Sequence, residues 1–171
     1  MIYELTVPQF TKMLSNLNVF LEKAAQFADH KKFEMDVLLQ SRLAPDQFNF
    51  IKQVQIACDT AKLGVSRLTG KQAPAHDDQE KTLPEIRARI ESTIAFLKSV
   101  NEKDFSGCET KTITTPRWEG KTLIGKEFCI HHVIPNFYFH MTTAYAIFRH
   151  NGVDLGKKDF LGALPFAAPK N

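Results

Sequence analysis

The chain predicts an all-α fold: a four-helix bundle with a small β-hairpin between its third and fourth helices. Three observations lead there. Apolar residues recur at helical spacing in four long segments. Residue types that start and stop helices bracket those segments. Only once, between the third and fourth, does the pattern change to short β-type runs. A length of 171 residues fits a single domain covering 1–171, with enough chain to bury a sizeable core.

The first helix carries Phe10, Met13, Leu14, Leu17, Phe20, Leu21, Ala24 and Phe27, a helical stripe. Thr6 with Gln9 offers a capping box, with Pro8 in the first turn, although the start can lie a few residues earlier. Met35 to Leu39 reads as one or two helical turns. Ser41 to Pro45 is a connector, because Pro45 disfavours helical geometry in the residue before it. Asp46 is then a candidate N-cap for the second helix, whose stripe is Phe50, Val54, Ala57, Cys58, Ala61, Val65 and Leu68, closed by Gly70.

A polar linker, Lys71 to Lys81, follows. Thr82 with Glu85 forms a second capping-box pattern around Pro84, ahead of Ile86, Ile90, Ile94 and Leu97. The hairpin, about 110–124, pairs Lys111–Thr115 with Lys121–Ile124 and must lean on the bundle. The fourth helix runs from about Lys126 to His150, where Arg149 and His150 suit the negative end of the dipole and Asn151-Gly152 stops it. The tail 152–171 reads as an irregular strap anchored by Phe160 or Leu161.

Apolar residues make up 43% and charged ones 24%, which excludes a disordered chain. Phe occurs 14 times while Trp and Tyr are scarce, a composition for dry packing. The net charge of +3 is spread along the chain without a basic run, which argues against nucleic-acid binding. No apolar run reaches the roughly 20 residues of a membrane span, and the first residues lack signal-peptide order. Cys58, Cys108 and Cys129 are odd in number and widely spaced, as expected of reduced thiols in a cytoplasmic protein.

The most informative stretch is Pro135 to Gly152, PNFYFHMTTAYAIFRHNG. Asn136 and His140 lie four apart and share a helix face. On the same wheel Val133, Phe137, Ala144 and Ile147 face the core, His140 falls within that sector, and His132 stacks on the same line further back. A buried imidazole needs a partner for each ring nitrogen. His140 is therefore either a core histidine satisfied by a polar neighbour or the lining of a pocket. Pro135 removes a helical hydrogen bond and frees the His131 carbonyl, so the helix kinks or restarts just before Asn136. On the second helix Gln55 and Asp59 sit beside the core stripe, pointing either along a groove or to water. Cys58 has no neighbour that would lower its pKa, so inert burial is its default.

Those stretches, with RLAPDQF and VQIACDTAK upstream, make the chain resemble a branch of the DinB-like (DinB/YfiT) superfamily of four-helix bundles, over nearly its whole length. In metal-binding members three histidines hold a divalent ion: one from the second helix and an HxxxH pair from the fourth. The resemblance implies that Asn136 and His140 occupy the pair's positions, and that Gln55 stands for the second-helix histidine with Asp59 one turn away. One imidazole with two amides is a weak first shell for zinc or nickel.

Two readings follow. Relatives that are metal-dependent transferases and isomerases using small thiols imply an enzyme, with His140 as metal ligand or general base. Gln55, Asp59, His132 and Asn136 would then position substrate around a divalent metal. The other reading is a non-catalytic bundle with a degenerate metal site, which binds a small apolar ligand or pairs as a homodimer. Both require the imidazole of His140 and the second helix to meet at one interior cavity.

Overall fold

The helical stripes of the sequence are the buried faces of the bundle in the computed structural model, which describes residues 1–167. Four long elements carry the fold: α1 (Ile2–Lys31), α3 (Phe50–Thr69), α4 (Leu83–Lys98) and α6 (Ile134–His150). A short α2 (Met35–Leu39) follows α1. Helix α3 packs against α6 and α4, and α1 closes the bundle against both of those. Phe10 meets Phe137 and Phe50 stacks on Phe148, at ring separations of 4.2 Å and 3.8 Å, so large aromatics fill the centre.

Two helix starts differ from the sequence expectation. Helix α1 begins at Ile2, so Thr6 caps nothing: its buried hydroxyl donates to the Ile2 carbonyl at 2.7 Å, a bond internal to the helix. Pro8 therefore lies inside α1, where its missing N–H leaves the carbonyl of exposed Glu4 to water. Helix α3 is capped by Asn49, not Asp46, with the Asn49 side chain accepting from the Lys52 N–H at 3.0 Å. The start at Thr82 forms as expected, the Glu85 carboxylate accepting from the Thr82 N–H at 2.9 Å.

Strands β1 (Thr112–Ile113) and β2 (Leu123–Ile124) form the hairpin, antiparallel, with Thr112 opposite Ile124 and Ile113 opposite Leu123. The chain then re-enters the bundle through α5 (Gly125–Phe128) and a π-helical turn, Cys129–Val133. In that turn the Ile134 N–H donates to the Cys129 carbonyl, five residues back. Pro135 follows at the second position of α6, where its missing N–H is tolerated. The irregularity thus precedes Pro135 and the helix restarts at Ile134, earlier than expected. After Gly152, with φ +94°, the tail is not wholly irregular: it includes a short helix, α7 (Lys157–Leu161). Phe160 anchors it between Phe20 and Tyr145, while Leu161 is exposed. The tail expectation for 168–171 lies outside the described residues.

Two glycines permit close approaches that place the last helix. A Cβ on Gly64 would stand 2.6 Å from Val133 Cγ1, at the seam of α3 with the π turn. A Cβ on Gly125 would collide with the Cys108 carbonyl oxygen, a backbone atom that cannot rotate aside. Gly64→Ala gains about 1 kcal/mol in helix propensity but overpacks the seam by about 1–3 kcal/mol. Gly125→Ala meets rigid backbone and is the more damaging of the two. Urea denaturation is expected to rank the variants wild type, Gly64→Ala, Gly125→Ala in falling stability, the last losing at least about 2 kcal/mol.

Candidate functional site

Helix α3 turns about 100° per residue, so Gln53 and Thr60, seven apart, share the face toward α6. His140, 8% exposed, meets Gln53: its Nδ1 lies 2.7 Å from Gln53 Oε1. Asn136 donates to Thr60 Oγ1 at 2.7 Å. These two bonds cross a seam otherwise built from Phe50, Ala57, Phe137, Ala144 and Phe148.

The tautomer of His140 follows from the network. Gln53 Nε2 donates to the Phe48 carbonyl at 3.0 Å, which turns its Oε1 toward the imidazole. An amide oxygen only accepts, so Nδ1 carries the proton and Nε2 presents a lone pair. Burial lowers the His140 pKa from 6.5 to about 4, so the ring is neutral at physiological pH and a weak base.

The remaining expected site residues sit elsewhere. Gln55 and Asp59 are turned roughly 200° and 240° around α3 from Gln53, onto the side facing α4. There Arg89, 2% exposed, gathers Asp59 at 2.7 Å, Asp78 at 2.7 Å and Glu80 at 3.0 Å. Gln55 donates to Glu80 at 2.9 Å. Burial works against the guanidinium's charge, but Asp59, Glu80 and Asp78 more than offset it, so Arg89 is held charged. Asp59 also takes the ammonium of buried Lys62 at 3.1 Å. The side chains of Gln55 and Asp59 therefore do not converge with His140, and their expected place in a shared cavity is corrected. His132 is also separate: it stacks on Phe128 at 5.5 Å and meets Trp118 edge-on at 5.3 Å, beside the hairpin. Burial, then Arg67, lowers its pKa.

Gln53, Thr60 and Phe48 were not anticipated. Helical spacing could have found Gln53 and Thr60, since the seven-residue interval marks one face; nothing in the sequence singles out the Phe48 carbonyl.

The donor set does not fit the metal that the DinB-like resemblance implies. Near His140 stand amides and a hydroxyl, and Gln53 already occupies Nδ1. The carboxylates are spent on Arg89 and Lys62. Among the described residues no group of three His, Cys, Asp or Glu side chains could hold an ion. Burial pushes the Cys58 and Cys129 thiols up to about 11, so neither is a thiolate nucleophile at neutral pH. His76 Nε2 is 3.2 Å from Ser92 Oγ, but its Nδ1 faces the Lys62 ammonium. That leaves Nε2 as donor and Ser92 without a base.

His140 makes acid stability a direct test. Its folded-state pKa lies below the unfolded value, so its contribution is complete above about pH 6.5 and drains away as pH falls toward 4. His140→Leu should cost about 1–3 kcal/mol at pH 7 by leaving Gln53 unpaired. Its stability gap to the wild type should then close by on the order of 3 kcal/mol between pH 7 and 4. Urea titrations at three pH values read both.

The comparisons with known proteins agree with this architecture. The model of the family described as domain of unknown function DUF1993 matches residues 2–161. A crystal structure of a DinB family member protein from Shewanella denitrificans is 61% identical, over 99% of this chain and 96% of that one, with a TM-score of 0.96. No curated protein matches the chain. With the family model spanning every element from α1 to α7, the chain belongs to the DUF1993 family and is a DinB-like four-helix bundle.

Proposed function

We propose that this chain is a non-catalytic DinB-like bundle with a degenerate metal site, an interaction module that pairs with a second copy through the outer face of α6. One observation carries the reading. From Ile134 to Phe148 the helix holds no Asp, Glu, Lys or Arg, although Pro135, Phe139 and Thr142 are exposed and Tyr138 and Ala146 half-exposed. Over the chain as a whole 24% of residues are charged. Depletion of charge at an exposed surface is the compositional mark of an interface core.

The shape of the face supports a second copy. Leu43, Tyr138, Phe139, Thr142, Thr143 and Ala146 line a shallow groove of about 490 Å³. Phe139, 57% exposed, stands at one end of this stripe and Ala146 at the other, with threonines between. A two-fold axis between Thr142 and Thr143 would set Phe139 of each copy opposite Ala146 of the other, large against small. Exposed Phe48 and Leu43 extend the apolar area. A small apolar ligand fits less well, because a shallow groove leaves much of it wet where ligand sites bury most of their guest.

The enzyme reading has less support. His140 offers one weakly basic lone pair, and the buried thiols are held protonated. Sedimentation equilibrium is expected to give a dimer for the wild type and a folded monomer for Phe139→Asp, with Ala146→Phe also impaired. A wild type that stays monomeric at tens of micromolar sinks the pairing. Calorimetric titration with zinc or nickel at neutral pH should show no stoichiometric uptake. Uptake that disappears in His140→Ala would restore the metal-site reading instead.

A further inference from the structure

We propose that His76 is a proton-operated latch: neutral, it holds the linker between α3 and α4 against the bundle, and mild acid releases it. The linker, residues 71–81, is pinned at two points by buried cations. Arg89 takes its far half through Asp78 and Glu80. Lys62, 2% exposed, takes the near half: its ammonium donates to the Pro74 carbonyl at 2.9 Å and meets His76 Nδ1 at 2.5 Å.

The chemistry of that contact allows one protonation state. An ammonium has donors and no acceptor, so His76 Nδ1 must offer its lone pair. The ring proton then sits on Nε2 and donates to Ser92 Oγ of α4. A second proton could go only to Nδ1, where it would face the Lys62 ammonium. The charged groups that act most strongly on the ring are Lys62 and Asp59 on α3, Arg89 on α4, and Glu80 on the linker. Asp59 is already shared between Lys62 and Arg89, so it cannot neutralise a new cation without abandoning one of them. Protonation of His76 and docking of residues 73–77 therefore oppose one another.

The sign follows. Burial, then Lys62 and Arg89, hold the docked His76 below its ordinary 6.5, whereas a released His76 titrates in water. Docking is therefore complete above about pH 6.5 and weakens as pH falls through the docked value. Within that window the opening equilibrium rises by up to about tenfold per pH unit, one proton being taken up. Asp78 and Glu80 are held below their ordinary range, so the Arg89 anchor stays ionised throughout.

Proteinase K cleavage between residues 73 and 77 of the full chain measures the open population, normalised to a free peptide of that sequence. The wild-type rate should rise from pH 7.5 to 5.5, by up to about tenfold, in step with His76 protonation followed by NMR. His76→Gln should remain flat, since an amide can accept from Lys62 and donate to Ser92 without titrating. Lys62→Met should move the His76 midpoint up toward 6.5. The latch is overturned by a flat wild-type rate while His76 protonates, by an equal rise in His76→Gln, or by an unmoved midpoint in Lys62→Met.

Discussion

The buried charge of Arg89 governs the rest of this molecule. A guanidinium out of water must be surrounded by anions or it costs several kcal/mol, and here it draws Asp59, Asp78 and Glu80 to itself. Those three carboxylates come from two separate segments, so neutralising one side chain also folds the linker over α3 and α4. Lys62 repeats the arrangement one turn away with Asp59, the Pro74 carbonyl and His76. Each carboxylate so engaged is lost to the other side of α3. His140 is consequently left with amides and a hydroxyl, and a set of ligands for a transition metal cannot assemble around it. The lack of carboxylates beside His140 and the ordered linker go together, since Asp59, Asp78 and Glu80 all face Arg89.

Helix α6 from Ile134 to Phe148 is built under the opposite constraint, the absence of charged side chains. Its inner face fits the aromatic centre through Phe137 and Phe148, and its polar residues are paired locally, Asn136 with Thr60 and His140 with Gln53. A hydrogen-bonded pair within an apolar seam fixes register, because sliding the helices would strand both partners at a cost of about 1–3 kcal/mol for each group. The π turn before Ile134 and the bare surface of Gly64 let this end of the helix sit close to α3. Pro135 just after the turn disfavours regular α-helical bonding at that point, which accounts for the placement of the irregularity.

How far the sequence could be read depended on whether a feature is local. The stripes of α1, α3, α4 and α6 are legible because burial on one side forces a 3.6-residue period. The Thr82–Glu85 start is legible because its bonds lie within four residues. The Thr6–Gln9 pattern misleads because Ile2 and Val7 are themselves buried, so packing extends α1 past a plausible cap. Asp46 loses to Asn49 because the turn after Pro45 continues for three more residues before α3 begins. The structure departs from the expected convergence of Gln55 and Asp59 with His140 by rotation about α3. His140 is buried as its helix position implies, but it meets Gln53, whereas Gln55 lies two positions and more than half a turn farther around α3. No local pattern states which side of α3 a buried arginine on α4 will claim.

Helix α3 is therefore a divider between two chemistries. On one side Gln53, Ala57 and Thr60 present neutral groups to the uncharged 134–148 stretch of α6; on the other, Asp59 and Lys62 join a dense set of ions. A proton that reaches His76 changes the balance on the ionic side while the neutral seam contains nothing it can repel, since His140 is uncharged and turned the other way around α3. The same helix thus separates a surface that responds to mild acid from a seam whose histidine takes up its proton only at about pH 4, and it does so because its polar residues are sorted by angle around the axis rather than clustered along it.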